Sequence, residues 1–271
     1  MDETLKILNS ALEEAKGQPF DDVIGHIRNA LGAAKPYAFI DGASFDKFDD
    51  YEIFQPPNIR LIRKVFSKED LAPLYEEINQ IRDSNYAADH HGASLVGQIR
   101  KEFTMLKSWD YAEKLILPYI HAMVDNNPSL QPKYTSKPTG KFRLESMWVN
   151  YQESGEYNPP HNHSGDFSFV IWMEVPYLIH EEQNNTNSPG IFSTRNNSGY
   201  FNFNCADILG RLNNIPVNAD KRAEGNMVVF PAGLNHSVNP FFSTDKQRVS
   251  VAGNFFYASE GDISYREYYR K

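Results

Sequence analysis

The chain has eight histidines, and three of them stand where their side chains can converge on a metal ion. His161 and His163 lie in Tyr157-Asn-Pro-Pro-His-Asn-His-Ser-Gly-Asp166, just ahead of the apolar run Phe167-Ser-Phe-Val-Ile-Trp-Met173. On an extended chain the side chains at i and i+2 share a face, so these two imidazoles can hold one ion between them. Pro159 and Pro160 stiffen the backbone before the pair and carry no amide hydrogen, which suits a strand end. A third ligand must come from elsewhere. His236, in Phe230-Pro-Ala-Gly-Leu-Asn-His-Ser-Val238, ends another short apolar segment and is the best candidate. Asp166 is an acidic alternative to His163, but it reaches the ion only through a tight turn at Ser164-Gly165, so the shared face favours His163.

Three nitrogen ligands leave coordination positions open, the condition for metal-centred catalysis, and do not by themselves separate iron from zinc. The separation comes from Arg248-Val-Ser250. Strand alternation puts the guanidinium and the hydroxyl on one face, where they can hold a carboxylate, the guanidinium through two parallel bonds. Zinc hydrolases have no general need of such a clamp.

His-x-Asp/His, a distant His and a later Arg-x-Ser together resemble the 2-oxoglutarate and iron(II)-dependent oxygenases, most closely those of bacteriophages and marine bacteria. The resemblance runs over roughly residues 85–257. It is carried by Trp148-Val-Asn-Tyr151, His161-Asn-His163-Ser-Gly, Ser168-Phe-Val, Phe230 to Val238 and Arg248-Val-Ser-Val-Ala-Gly-Asn254. It implies an α+β fold built on a double-stranded β-helix (a cupin-like jelly roll) with flanking helices and iron at its mouth. His161 and His236 are then the two histidine ligands. His163 stands where the family pattern has Asp, leaving either an all-histidine face or Asp166 as the acidic ligand. Arg248 and Ser250 would hold 2-oxoglutarate, with Asn150 and Tyr151 bonding the same molecule, core packing being the equal alternative for Tyr151. The implied activity is that of an Fe(II)/2-oxoglutarate-dependent dioxygenase, a hydroxylase that uses dioxygen and couples decarboxylation of 2-oxoglutarate to oxidation of an unidentified substrate. A metal-binding cupin-like protein, or a metalloenzyme that does not use 2-oxoglutarate, is the alternative.

The elements that position these residues show in the periodicity. Leu5, Leu8 and Leu12, then Val23, Ile24, Ile27 and Leu31, predict two helices over residues 3–34, and the aperiodic stretch to Pro57 reads as a linker. This divides the chain into a helical extension, 1–55, and an oxygenase domain, 56–271, and the extension offers a surface for a homodimer. Residues 59–66 predict a strand, Ser67 to Ser84 a capped helix, and 101–125 a helix kinked at Pro118. His90 and His91 fall in a loop, where adjacent side chains diverge and do not share an ion. Alternating segments at 142–151, 167–175, 199–204, 226–231 and 247–257 predict a sandwich or barrel. Trp148, Trp172, Phe255 and Phe256 are candidates to line its pocket.

A net charge of −8 argues against broad binding to duplex nucleic acid, which relies on basic surface. The single cysteine, Cys205, leaves no intramolecular disulfide framework and suits a reducing cytoplasm. The first residues lack the pattern of a secretory signal and no run is long enough to span a membrane, so a cytoplasmic location is expected.

Overall fold

The computed structural model describes residues 44–47, 50–55, 60–92, 96–127, 141–207 and 209–258. The helices expected over residues 3–34 lie outside these. In chain order the strands are β1 (Ser44–Lys47), β2 (Glu52–Gln55), β3 (Leu61–Val65), β4 (Glu102–Thr104), β5 (Lys141–Gln152), β6 (Asn158–His161), β7 (Phe167–Glu174), β8 (Phe201–Ala206), β9 (Leu212–Val217), β10 (Asn226–Pro231), β11 (His236–Val238) and β12 (Arg248–Ala258). The helices are α1 (Ala72–Asp83), α2 (Trp109–Asp125) and the short α3 (Ile179–Gln183).

From β5 onward the strands nest. β8 pairs with β9, β7 with β10, β6 with β11 and β5 with β12, all antiparallel, so the first four strands fold back on the last four. This nested pairing is a jelly roll, a double-stranded β-helix. Its two sheets have the orders β1-β2-β3-β10-β7-β12-β5-β4 and β6-β11-β8-β9. Residues 44–55, read from sequence as linker, add β1 and β2 to the edge of the larger sheet. Strands of four residues carry too little pattern to be seen without the edge of β3 that they join.

Alternation sends every second side chain of the large sheet to each face. Met147, Val149 and Tyr151 of β5, Ile171 and Met173 of β7, and Val249 and Val251 of β12 pack outward against Leu74, Ile78 and Ile81 of α1 and Ile116, Ile120 and Met123 of α2. Val170 and Trp172 of β7, with Val228 and Phe230 of β10, point inward to Phe201 and Phe203 of the small sheet. Each fully buried side chain of this size contributes about 1.5–3 kcal/mol. Between Ser146 and Leu144 of β5 the register to β12 slips by one residue, making Glu145 a bulge that keeps Leu144 on the outer face with Met147.

The helix expected over 101–125 begins only at Trp109. Glu102–Thr104 instead pair with β5, and Glu77 of α1 holds the start of α2 by accepting the amide hydrogens of Leu106, Lys107 and Ser108 at 2.8–2.9 Å. Among the described residues no helix is long and apolar enough to cross a membrane.

Candidate metal centre and cosubstrate pocket

β6 is the edge strand of the small sheet, which lets it carry Pro159 and Pro160 without losing ladder bonds. Its last residue, His161, lies directly opposite His236 of β11, and the two rings stand 4.3 Å apart between centroids. His163 follows in a turn whose His163 amide donates to Ala232 O at 2.9 Å, and its ring lies 5.0 Å from each of the other two. Ligand atoms of His161, His163 and His236 all fall within 4.8 Å of one another. Asp166 is not in this group. The tight turn does form, with Gly165 at φ 105°, but it delivers the Asp166 carboxylate to β12, where it accepts the Tyr257 amide hydrogen at 2.7 Å.

Hydrogen bonds orient two of the rings. His161 Nδ1 bonds Pro159 O at 2.8 Å and His236 Nδ1 bonds Leu234 O at 3.0 Å. A carbonyl only accepts, so both Nδ1 atoms carry the proton and both Nε2 lone pairs are left for a metal. Burial depresses all three pKa values. His161 is lowered; His163 is held at about 4, by burial first and then by His161 and His91; His236 lies well below the ordinary value, again by burial first. All three are therefore neutral near pH 7, the form that binds a metal. Phe201 stacks on the His236 ring at 5.5 Å, Phe230 meets it edge-on at 5.0 Å, and Trp148 lies 5.5 Å from His163. Three neutral nitrogens in an aromatic wall fit Fe(II), and the donor set by itself would equally fit zinc.

The cavity next to the histidines is lined on the large sheet by Trp148, Asn150, Arg248 and Ser250, and on the small sheet by Asn158 and Val238. Arg248 is only 3% exposed. Its Nε and Nη2 donate to Gln152 Oε1, its Nη1 to Tyr177 Oη at 2.6 Å and Gly199 O at 3.0 Å, and its Nη2 also to Asn239 O at 3.3 Å. These acceptors are all neutral, and among the described residues no carboxylate forms an ion pair with Arg248. The fork is thus already engaged by protein acceptors. An incoming carboxylate would exchange with these acceptors and supply the negative charge they lack. Ser250 lies on the same face and accepts from Asn150 Nδ2 at 3.3 Å.

Tyr151, grouped from sequence with Asn150 as a cosubstrate contact, faces the other way. Neighbours on a strand point to opposite faces, and the Tyr151 hydroxyl donates to Ile78 O of α1 at 2.7 Å in the outer core. Phe255 belongs to that outer core for the same reason, whereas Trp148 and Trp172 do line the cavity. His90 and His91 diverge as expected: His90 Nε2 bonds Arg100 O, while His91 stacks on Trp148 at 5.0 Å and bonds Thr104 Oγ1. Gln152, Tyr177 and Asn158 were missed. Strand parity from Asn150 would have found Gln152, but nothing local marks Tyr177, which reaches Arg248 from the segment after β7.

A sequence model of the family described as "Putative 2OG-Fe(II) oxygenase" matches residues 146–254, a segment that contains all three histidines and Arg248. No curated protein matches the chain. Solved structures that align with it include a prolyl-4-hydroxylase from Pseudomonas putida, 16% identical with a TM-score of 0.43, over 73% of this chain and 92% of that one. The alpha-ketoglutarate-dependent epimerase SnoN of nogalamycin biosynthesis is 12% identical with a TM-score of 0.39, over 76% and 81%. AviO1 from Streptomyces viridochromogenes Tue57 is 10% identical with a TM-score of 0.42, over 80% and 93%. Residues 146–254 thus match the model of the 2-oxoglutarate/Fe(II) oxygenases, and that match supports an enzyme of this class using Fe(II), 2-oxoglutarate and dioxygen.

Proposed function

We propose that this enzyme oxidises a C–H bond of a second substrate, as a hydroxylase does, with 2-oxoglutarate decarboxylated to succinate in the same cycle. His161, His163 and His236 are the metal ligands, and Arg248, Ser250 and Asn150 form the cosubstrate site. Held by His161, His163 and His236, Fe(II) would offer open positions for chelation by the 2-oxo acid and would supply the activation of dioxygen. The chain supplies everything else. Pro159 O and Leu234 O fix two imidazole tautomers, so that their Nε2 lone pairs would be the ones to hold the ion. Arg248 offers a buried positive charge to the distal carboxylate, and Ser250 on the same strand face offers a hydroxyl. Trp148, Trp172 and Phe230 exclude water around them, which strengthens every polar contact inside.

The observation that carries this reading is one cavity with three neutral imidazoles on its wall and a guanidinium on its floor that has neutral partners only. A metal-binding module without catalysis would not need that cation. The test is aerobic succinate formation from 2-oxoglutarate with added Fe(II), compared between the wild type and the His161→Ala/His236→Ala double variant. Iron-dependent succinate that disappears in the variant is expected. A wild type that takes up iron and yields no succinate, with or without candidate substrates, would refute it.

A further inference from the structure

Glu102 precedes the family-matched segment and stands on β4, the edge strand beside the cosubstrate pocket. It lies directly opposite Asn150 of β5, which lies directly opposite Ser250 of β12. The three side chains therefore form one row across the interior face, with Cβ atoms of facing partners about 4.5–5.5 Å apart. Glu102 is 3% exposed and Asn150 9%. Glu102 Oε1 and Asn150 Oδ1 are both buried without a hydrogen-bond partner. Both are acceptors, so the row contains two facing acceptors and no donor between them, an arrangement that costs stability unless a proton is supplied.

We infer that Glu102 is a positioning residue for 2-oxoglutarate, acting as a carboxylic acid that donates to Asn150 Oδ1. The inference rests on the proposed reading of the pocket. With its oxygen engaged, Asn150 keeps its Nδ2 turned to Ser250 Oγ, as the 3.3 Å contact shows. Ser250 accepts that bond, so its single proton is left to donate outward, to the carboxylate that Arg248 attracts. Each bond in the row then runs toward the cosubstrate.

The surroundings favour the acid form. Burial first, and Glu156 second, push the Glu102 carboxyl up to about 7. Glu156, from the turn after β5, is the charged group that acts on it; His90 and Glu102 Oε2 lie together around Gly92, and the His91 amide donates to Glu102 O at 2.8 Å. Arg100 is largely exposed and lies 3.9 Å from Glu156, so it partners that residue. β5 and β12 present only Asn150 and Ser250 in this row, with Arg248 in the next.

The experiment compares wild type, Glu102→Ala and Glu102→Gln, each loaded with Fe(II) without oxygen, by calorimetric titration with 2-oxoglutarate across the pH range around 7. KM for 2-oxoglutarate and kcat are read from succinate formation. Glu102→Ala is expected to weaken binding roughly tenfold with little change in kcat at saturation, because a buried acceptor loses its donor. Glu102→Gln keeps a donor N–H and is expected to restore affinity. It is also expected to abolish the weakening that the wild type shows as pH rises through about 7. If Glu102→Ala does not fold, the wild-type and Glu102→Gln pH profiles decide. Unchanged affinity in Glu102→Ala would overturn the inference. So would wild-type affinity that weakens relative to Glu102→Gln as pH falls, since the carboxylate would then be the acceptor and the amide reversed. Absence of 2-oxoglutarate binding in the wild type at every pH would instead remove the pocket reading, and this inference with it.

Discussion

Replacing Arg248 with Met removes a buried charge and five hydrogen bonds while nearly preserving side-chain length. The losses are unequal. Gly199 O still receives the Tyr177 hydroxyl at 2.8 Å, and Asn239 O still receives Gln152 Nε2 at 3.5 Å. Tyr177 Oη also loses a donor but keeps its own bond to Gly199 O, so Gln152 Oε1 is the one atom left with no partner. One orphaned buried acceptor costs about 1–3 kcal/mol, and bonds to a charged donor are worth about 1.5–3 kcal/mol each. Against this, the variant no longer buries a cation, whose desolvation itself costs several kcal/mol. We expect a net loss of about 3 kcal/mol, or about 6–12 °C in melting temperature for a chain of this size. Affinity for 2-oxoglutarate should fall far more than stability explains, while Fe(II) uptake at the histidines persists. Melting with and without Fe(II), together with anaerobic titration of 2-oxoglutarate, measures both. Unchanged 2-oxoglutarate affinity in a folded Arg248→Met protein would refute the assignment of Arg248. An unchanged melting temperature would refute the accounting of its bonds.

Four further outcomes follow from the geometry. Asp166→Asn should leave Fe(II) affinity unchanged in a metal titration, because that carboxylate holds the Tyr257 amide and stands apart from the histidines. Tyr151→Phe should cost about 1 kcal/mol by denaturant melting with no change in KM for 2-oxoglutarate; a raised KM would return Tyr151 to the pocket. Ser250→Ala should raise that KM with little loss of stability, since Ser250 Oγ accepts only the long bond from Asn150. Metal-free protein should lose stability as pH falls. His91 and His163 titrate at about 4 when folded and near 6.5 when unfolded, so the unfolded chain binds more protons between those values. The loss should approach about 1.4 kcal/mol per pH unit for each histidine within that window and be absent above it. Melting midpoints across that range, which should fall only on the acid side, check the sign.

The two pairs His161/His163 and Arg248/Ser250 could be read from the chain because their determinants are local, whereas His236 joins the first pair only through the pairing of β6 with β11. Two imidazoles two residues apart share a face in any extended segment, and Arg248 and Ser250 share one for the same reason. The strands of the jelly roll announced themselves through alternation wherever they were long enough, as β5, β7 and β12 are. What local pattern could not decide was which face is the inner one. Asn150 and Tyr151 are equally placed in sequence, and only the packing of α1 on one side of β5 sends Tyr151 to Ile78 and Asn150 to the cavity. The direction of the Asp166 carboxylate also waited on tertiary structure, since it depends on β12 presenting the Tyr257 amide to that turn. The same holds for the row from Glu102 to Ser250, whose members are distant in sequence and meet only because three strands align in register. A side chain's face follows from backbone geometry, whereas what that face meets depends on the rest of the chain.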